Sequence, residues 1–145
     1  MMEILKHAHS GLRWVALGLL IFALFNALKG KKSGEYIKKD KMINLFTMIS
    51  LHTQLLIGLI LYFSSDKVQF IKGWMKNPLL RFYGMEHFLM MIIALVIITI
   101  GRKKAEKIED ARSKHATIFN WYLIVLIIIL LAIPWPFRNI GGGWY

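Results

Sequence analysis

The chain has 145 residues, 57% of them hydrophobic, no cysteine and a formal net charge of +11. So much apolar side chain on so short a chain exceeds what one small soluble core can bury, which excludes an ordinary soluble domain. The charge does not point to nucleic acid, because the basic residues gather in loops rather than along a groove-binding stripe, and the missing cysteines exclude disulfides, iron–sulfur clusters and thiolate-linked haems.

Four apolar runs of about 20 residues, the length that crosses a hydrocarbon core of about 30 Å, occupy residues 10–28, 42–63, 82–100 and 116–134. They predict helices, since lone strands would leave backbone groups unpaired in lipid. The expected fold is an all-α, integral-membrane, up-and-down four-helix bundle forming a single domain over 1–145. The first run has no small-residue cleavage site after it and reads as a retained span. Its residues His9, Arg13, Ala16, Leu20, Ala23 and Ala27 share a face that is largely small, expected to point inward. His52 lies near the middle of the second run, and Asn26 and Gln54 are expected to bridge helices.

The connection from Ser64 to Arg81 alternates Val68, Phe70, Ile71, Trp74 and Met75 with Lys67, Lys72 and Lys76, the pattern of a short amphipathic helix in the interface. Asn77 and Pro78 end it and open the third run, whose stripe Tyr83, Gly84, His87, Met91 and Ala94 is small or flexible. The last run follows Lys114 and His115 and stops at Pro134-Trp135-Pro136. Trp135, Phe137, Trp144 and Tyr145 then read as an aromatic belt at headgroup level, and Gly141 to Gly143 predict a mobile tip.

Twelve of the nineteen Lys and Arg fall in the first and third connections: Lys29, Lys31, Lys32, Lys38, Lys39, Lys41, Arg102, Lys103, Lys104, Lys107, Arg112 and Lys114. By the positive-inside rule these connections face the cytoplasm, which puts both termini outside.

Each apolar run carries a histidine at or inside one end: His9, His52, His87 and His115. Ionisable side chains inside lipid are costly and mark a functional interior. A haem iron with two axial imidazoles needs histidines on facing helices at similar depth, with small residues where the macrocycle enters. His9 with His87 joins diagonal helices toward the outer side, His52 with His87 joins neighbours near the midplane, and His52 with His115 joins the other diagonal across a depth difference of roughly 13 Å at helical rise. Arg13, one turn inside His9, needs an anion: either it pairs with Glu86, or it holds a haem propionate while Glu86 orients a histidine. Each histidine also has a plainer reading, His52 and His87 as interhelical bridges, His9 as an interfacial side chain and His115 as a boundary residue. His7 reads as surface, because two residues along a helix it projects away from His9.

The stretches His9-Ser10-Gly11-Leu12-Arg13-Trp14, His52-Thr53-Gln54, Met85-Glu86-His87 and Lys114-His115 resemble those of small four-span bacterial membrane proteins catalogued as cytochrome-b-like. The resemblance runs over nearly the whole length. It implies a bacterial inner-membrane protein with haem b, one or two, held by histidines from different spans. Unlike a respiratory cytochrome b, this chain lacks two histidines spaced along one helix. The expected function is single-electron transfer between a quinol and a partner subunit, with the haem iron drawing ligands from His9, His52, His87 and His115. The competing expectations are a haem-free accessory or transport subunit using its histidines for protons or a divalent metal, and a purely structural subunit. The short chain and wide apolar surface also suit a homo-oligomer or a larger complex.

Overall fold

The computed structural model describes residues 1–144. Four long helices make up the fold, and no strand occurs among the described residues. They are α1 (Met2–Ser33), α2 (Lys38–Ser64), α3 (Pro78–Glu106) and α4 (Ala111–Ala132), each long and apolar enough to span a membrane. Short connections between sequential helices make neighbours antiparallel. Helix α1 packs on α2 and α4, and α3 packs on α4 and more sparsely on α2, so α1 and α3 are the diagonal pair.

Each boundary has a local cause. The amide of Gly34, in the left-handed region at φ 75°, donates to Gly30 O and closes α1. The Asp40 carboxylate accepts the Ile37 amide at 2.7 Å at the start of α2. Asn77 Oδ1 accepts the amides of Leu79 and Leu80 ahead of α3, with Pro78 in the first helical position. Asp110 accepts the Ser113 amide and caps α4. The basic ends of α1 and α4 meet where Arg112 Nη1 donates to Lys31 O and Lys32 O.

Between α2 and α3 the amphipathic helix expected over Val68–Met75 shortens to one 3₁₀ turn, Trp74–Lys76. Gly73, in the left-handed region at φ 83°, immediately precedes that turn and breaks any helix entering from Val68. The tip at Gly141–Gly143 also departs from expectation, folding back over the bundle with Gly142 tucked against Pro134 O where a Cβ would overlap it.

The core is concentrated toward the end holding the two basic connections. Ala16, Leu20, Ala23 and Ala27 of α1 are buried as the sequence stripe predicts, against Ala94, Ile98 and Ala105 of α3 and Ile118, Tyr122 and Val125 of α4. Gly101 lets Trp121 lie directly on the α3 backbone, a close approach of the kind small residues permit between membrane helices. Helix α2 contributes Asp40, Asn44, Thr47 and, at its midpoint, Leu51, and no residue beyond that is buried. Its outward residues Phe46, Ile49, Leu56, Ile60 and Phe63 are exposed and suit contact with lipid acyl chains. At the opposite end of the bundle the packing opens into a cavity.

Candidate cofactor site

The cavity has a volume of about 490 Å³ and is lined by all four helices and by the C-terminal glycines. Cofactor and ligand pockets run from about 300 to 1,000 Å³. Its inner wall is apolar, from Ala16, Leu51, Met91, Ala94 and Ile129, and its outer rim holds Arg13, Lys67 and Tyr83 together with Lys6, whose charge is paired with Glu3 at 2.8 Å. His9 and His87 face each other across it from the diagonal helices, with ring centroids 6.3 Å apart and planes at 81°.

Helix α3 delivers His87 through a change in winding. Residues Phe82–Glu86 form a π turn immediately before it, a wide turn frequent at functional sites. The hydroxyl of Tyr62 on α2 donates to Gly84 O at 2.7 Å and satisfies a carbonyl in that turn. His87 Nδ1 lies 2.7 Å from Ala132 O. A carbonyl only accepts, so Nδ1 carries the proton and donates, and Nε2 keeps its lone pair. Anchoring one ring nitrogen to a carbonyl is how metal-ligating histidines are oriented. Phe82 packs beside the ring at 5.7 Å between centroids.

His9 is placed by α1 and steadied by α2. Gln54 Nε2 donates to His9 O at 2.8 Å, the interhelical bridge expected of that residue. Gly58 leaves the space the imidazole occupies, since a Cβ there would come within 3.2 Å of His9 Cε1. Among the described residues, six buried side-chain atoms have no hydrogen-bond partner, and three of them, His9 Nδ1, Arg13 Nε and Gln54 Oε1, belong to residues of the cavity wall. Orphaned polar atoms beside a cavity are what a bound group would satisfy.

The donor set can be tested against a haem. A metal–imidazole bond of about 2.0–2.1 Å, with each nitrogen about 1.1 Å from its ring centre, sets two imidazoles on opposite sides of one ion about 6.3 Å apart between centroids. The observed separation is of that size, while the nitrogen-bearing edge of His9 lies toward Gly58, so binding one iron would require the His9 ring to turn toward His87. The small residues Ala16, Gly58 and Ala94 line the space beside the pair. Among the described residues no group of three or more His, Cys, Asp or Glu is gathered to hold a metal. A bare zinc or copper ion is normally bound by three or four protein side chains, whereas a macrocycle supplies its own equatorial nitrogens and needs only two. The cavity therefore offers the two imidazole donors that a macrocycle would need.

The other histidines lie elsewhere. His52 does not line the cavity, and its Nδ1 is engaged at 2.8 Å by Met48 O of its own helix. Asn26, the other expected bridge, donates to Asp40 Oδ1 at 2.8 Å. His115 is fully buried at the basic end, donating through Nε2 to Glu35 O at 2.8 Å with the Tyr36 ring 5.0 Å away. It is thus a core residue rather than a solvated boundary one.

The Arg13–Glu86 pair does not form. Glu86 Oε1 instead accepts from Arg81 Nε at 2.6 Å, because the π turn stacks residues five apart on one helix and Arg81 is nearer than anything on the diagonal. Nor does Glu86 orient His87, a role taken by Ala132 O. Arg13 Nη2 donates to Gly143 O at 3.1 Å.

Sequence reading missed Lys67, Gly58 and the Ala132 carbonyl. Gly58 inside an apolar helix is a usable signal of close approach. A backbone carbonyl carries none. Lys67 is exposed overall, yet partial burial of its ammonium pushes its pKa below the ordinary lysine value. No protein-family model, curated protein or solved structure matches the chain.

Proposed function

We propose that the protein binds one b-type haem between α1 and α3, with His9 and His87 as its two axial ligands, and passes single electrons. The 6.3 Å separation of the two imidazoles across the cavity carries this reading. The haem would supply a reversible one-electron couple. His87 would bind through Nε2, held in that tautomer by Ala132 O. His9 would bind from the facing wall, its backbone fixed by Gln54 and its ring given room by Gly58. Arg13 and Lys67 at the rim would balance the negative charge of the propionates.

The apolar inner wall would exclude water, and bis-histidine ligation would leave no open position for substrate. Electron transfer rather than turnover follows from that. The position of the site near the outer end suits exchange with a quinol or a redox subunit at the face opposite the basic connections, in a bacterial inner membrane with both termini outside. His52 and His115, each engaged with backbone away from the cavity, support a count of one haem.

The test is the absorption spectrum of the detergent-purified protein, produced with haem supplied, oxidised and then dithionite-reduced. A Soret band with an α-band on reduction is expected, lost in His9→Ala and His87→Ala and kept in His52→Ala and His115→Ala. No Soret band in the parent protein, or retention in both of the first two variants, refutes the reading. The divalent-metal alternative is disfavoured by the two-histidine donor set.

A further inference from the structure

The C-terminal segment is fastened across the outer mouth of the cavity at three points. Lys67 Nζ donates to Gly141 O at 2.7 Å, Arg13 Nη2 to Gly143 O at 3.1 Å, and Trp14 Nε1 to Trp144 O at 2.9 Å. Trp144 also packs on Trp135, which in turn meets Trp14, with centroids 6.0 and 6.1 Å apart. Glycine is required where the strap turns, at φ 71° in Gly141, and where Gly142 lies against Pro134 O. Three glycines in sequence give this strap no side chains to pack, so the three donors and the tryptophan contacts hold it.

Two of those donors are cations on the cavity rim, and both are bonded to neutral carbonyls. A carboxylate is the stronger acceptor for either, by roughly twofold in hydrogen-bond strength. Arg13 Nε, buried and without a partner among the described residues, is a further donor at the same rim.

We propose that the outer mouth is a carboxylate-binding site gated by the C-terminal strap: Gly141–Trp144 closes the cavity, and Arg13 and Lys67, which latch it, are the donors that an entering carboxylate takes. The ligand class is an apolar body bearing one or more carboxylates, its body against the inner wall and its anionic edge at the rim. This deepens the haem reading by naming how the propionate edge enters, and it is independent of the iron.

The chain has no cysteine, so a single Ala16→Cys substitution places one thiol on the cavity wall, where Ala16 is 4% exposed. Its rate of modification by a charged, water-soluble methanethiosulfonate reports strap opening. Lys67→Met and Trp14→Phe each remove one latch and should raise that rate about fivefold, the factor equivalent to about 1 kcal/mol per hydrogen bond. A thiol at Glu109→Cys, exposed at the opposite end of the bundle, should react at one rate in all backgrounds. Rates at Ala16→Cys unchanged by both latch variants overturn the gate.

The carboxylate is tested by titrating iron-free protoporphyrin IX and its dimethyl ester, following quenching of tryptophan fluorescence. The free acid should bind at least tenfold more tightly, and the difference should vanish in Arg13→Gln/Lys67→Met. Equal affinity of acid and ester in the parent protein overturns the carboxylate site. Discrimination with added haem whose Soret band stays at the position of free haem and which gives no sharp α-band on reduction would instead keep this site and refute the iron ligation.

Discussion

Replacing Gly30 by alanine tests whether the fourth histidine is a core residue. The added methyl would overlap His115 at Nε2, Cε1 and Cδ2, three atoms of one ring, so a small slide cannot relieve it. His115 is fully buried, with no space to retreat into. Overpacking of this kind costs about 1–3 kcal/mol, and displacing the ring breaks its bond to Glu35 O, adding about 1–3 kcal/mol for a buried polar group left unpaired. Alanine's better helix propensity returns about 1 kcal/mol, leaving a net loss of about 1–5 kcal/mol. The assay is equilibrium unfolding in detergent of Gly30→Ala, His115→Ala and the double variant. The double variant should lose less than the sum of the single losses, by about 1–3 kcal/mol, because the methyl then occupies space vacated by the ring. Additivity within about 0.5 kcal/mol would refute the packing argument.

Gly58→Val should weaken haem retention at least tenfold while the helical circular dichroism stays unchanged, because Gly58→Ala would already bring a methyl to 3.2 Å from His9 Cε1; equal retention would remove Gly58 from the site. Tyr62→Phe removes the hydroxyl's bond to Gly84 O in the π turn and should cost about 0.5–1.5 kcal/mol in the same unfolding assay. Tyr36→Phe should destabilise the basic end by a similar amount, since the hydroxyl donates to Glu106 and accepts from Asn44. Burial pushes that hydroxyl's pKa up, so alkaline titration of tyrosine absorbance should show one fewer late-titrating group in the variant. The Asp110 pKa is lowered, chiefly by its hydrogen bonds from Ser113. Its cap is therefore complete above the unfolded value of 3.8 and is lost as pH falls through the lower folded value. Amide exchange at Ser113 and Lys114 should accelerate there, and Asp110→Asn should abolish the pH dependence while keeping a cap.

Much of the bundle was legible because its signals are local. The inward stripe from Ala16 to Ala27 needs only helical spacing, and Asn77-Pro78 and Asp110 mark helix starts by their own hydrogen bonding. The site was legible as a set of candidates, and the His9–His87 pair was among them. What spacing could not supply was the choice. Spacing offers Glu86 either to Arg13 or to a histidine, and the π turn gives that carboxylate to Arg81 instead. Treating His115 as a boundary residue relied on its distance from the span centre, while the Gly30 notch that encloses it lies on another helix.

The sequence by itself determined four apolar helices, their antiparallel order and the gathering of positive charge in two connections, since segment length, hydropathy and composition act within each segment. The tertiary structure decided which histidines meet, which nitrogen of His87 is free, and that the glycine tail is a strap rather than a loose end. Those outcomes depend on backbone carbonyls at Ala132, Gly141 and Gly143. Every residue carries the same carbonyl, so only the packing of the whole chain can say which of them is within reach.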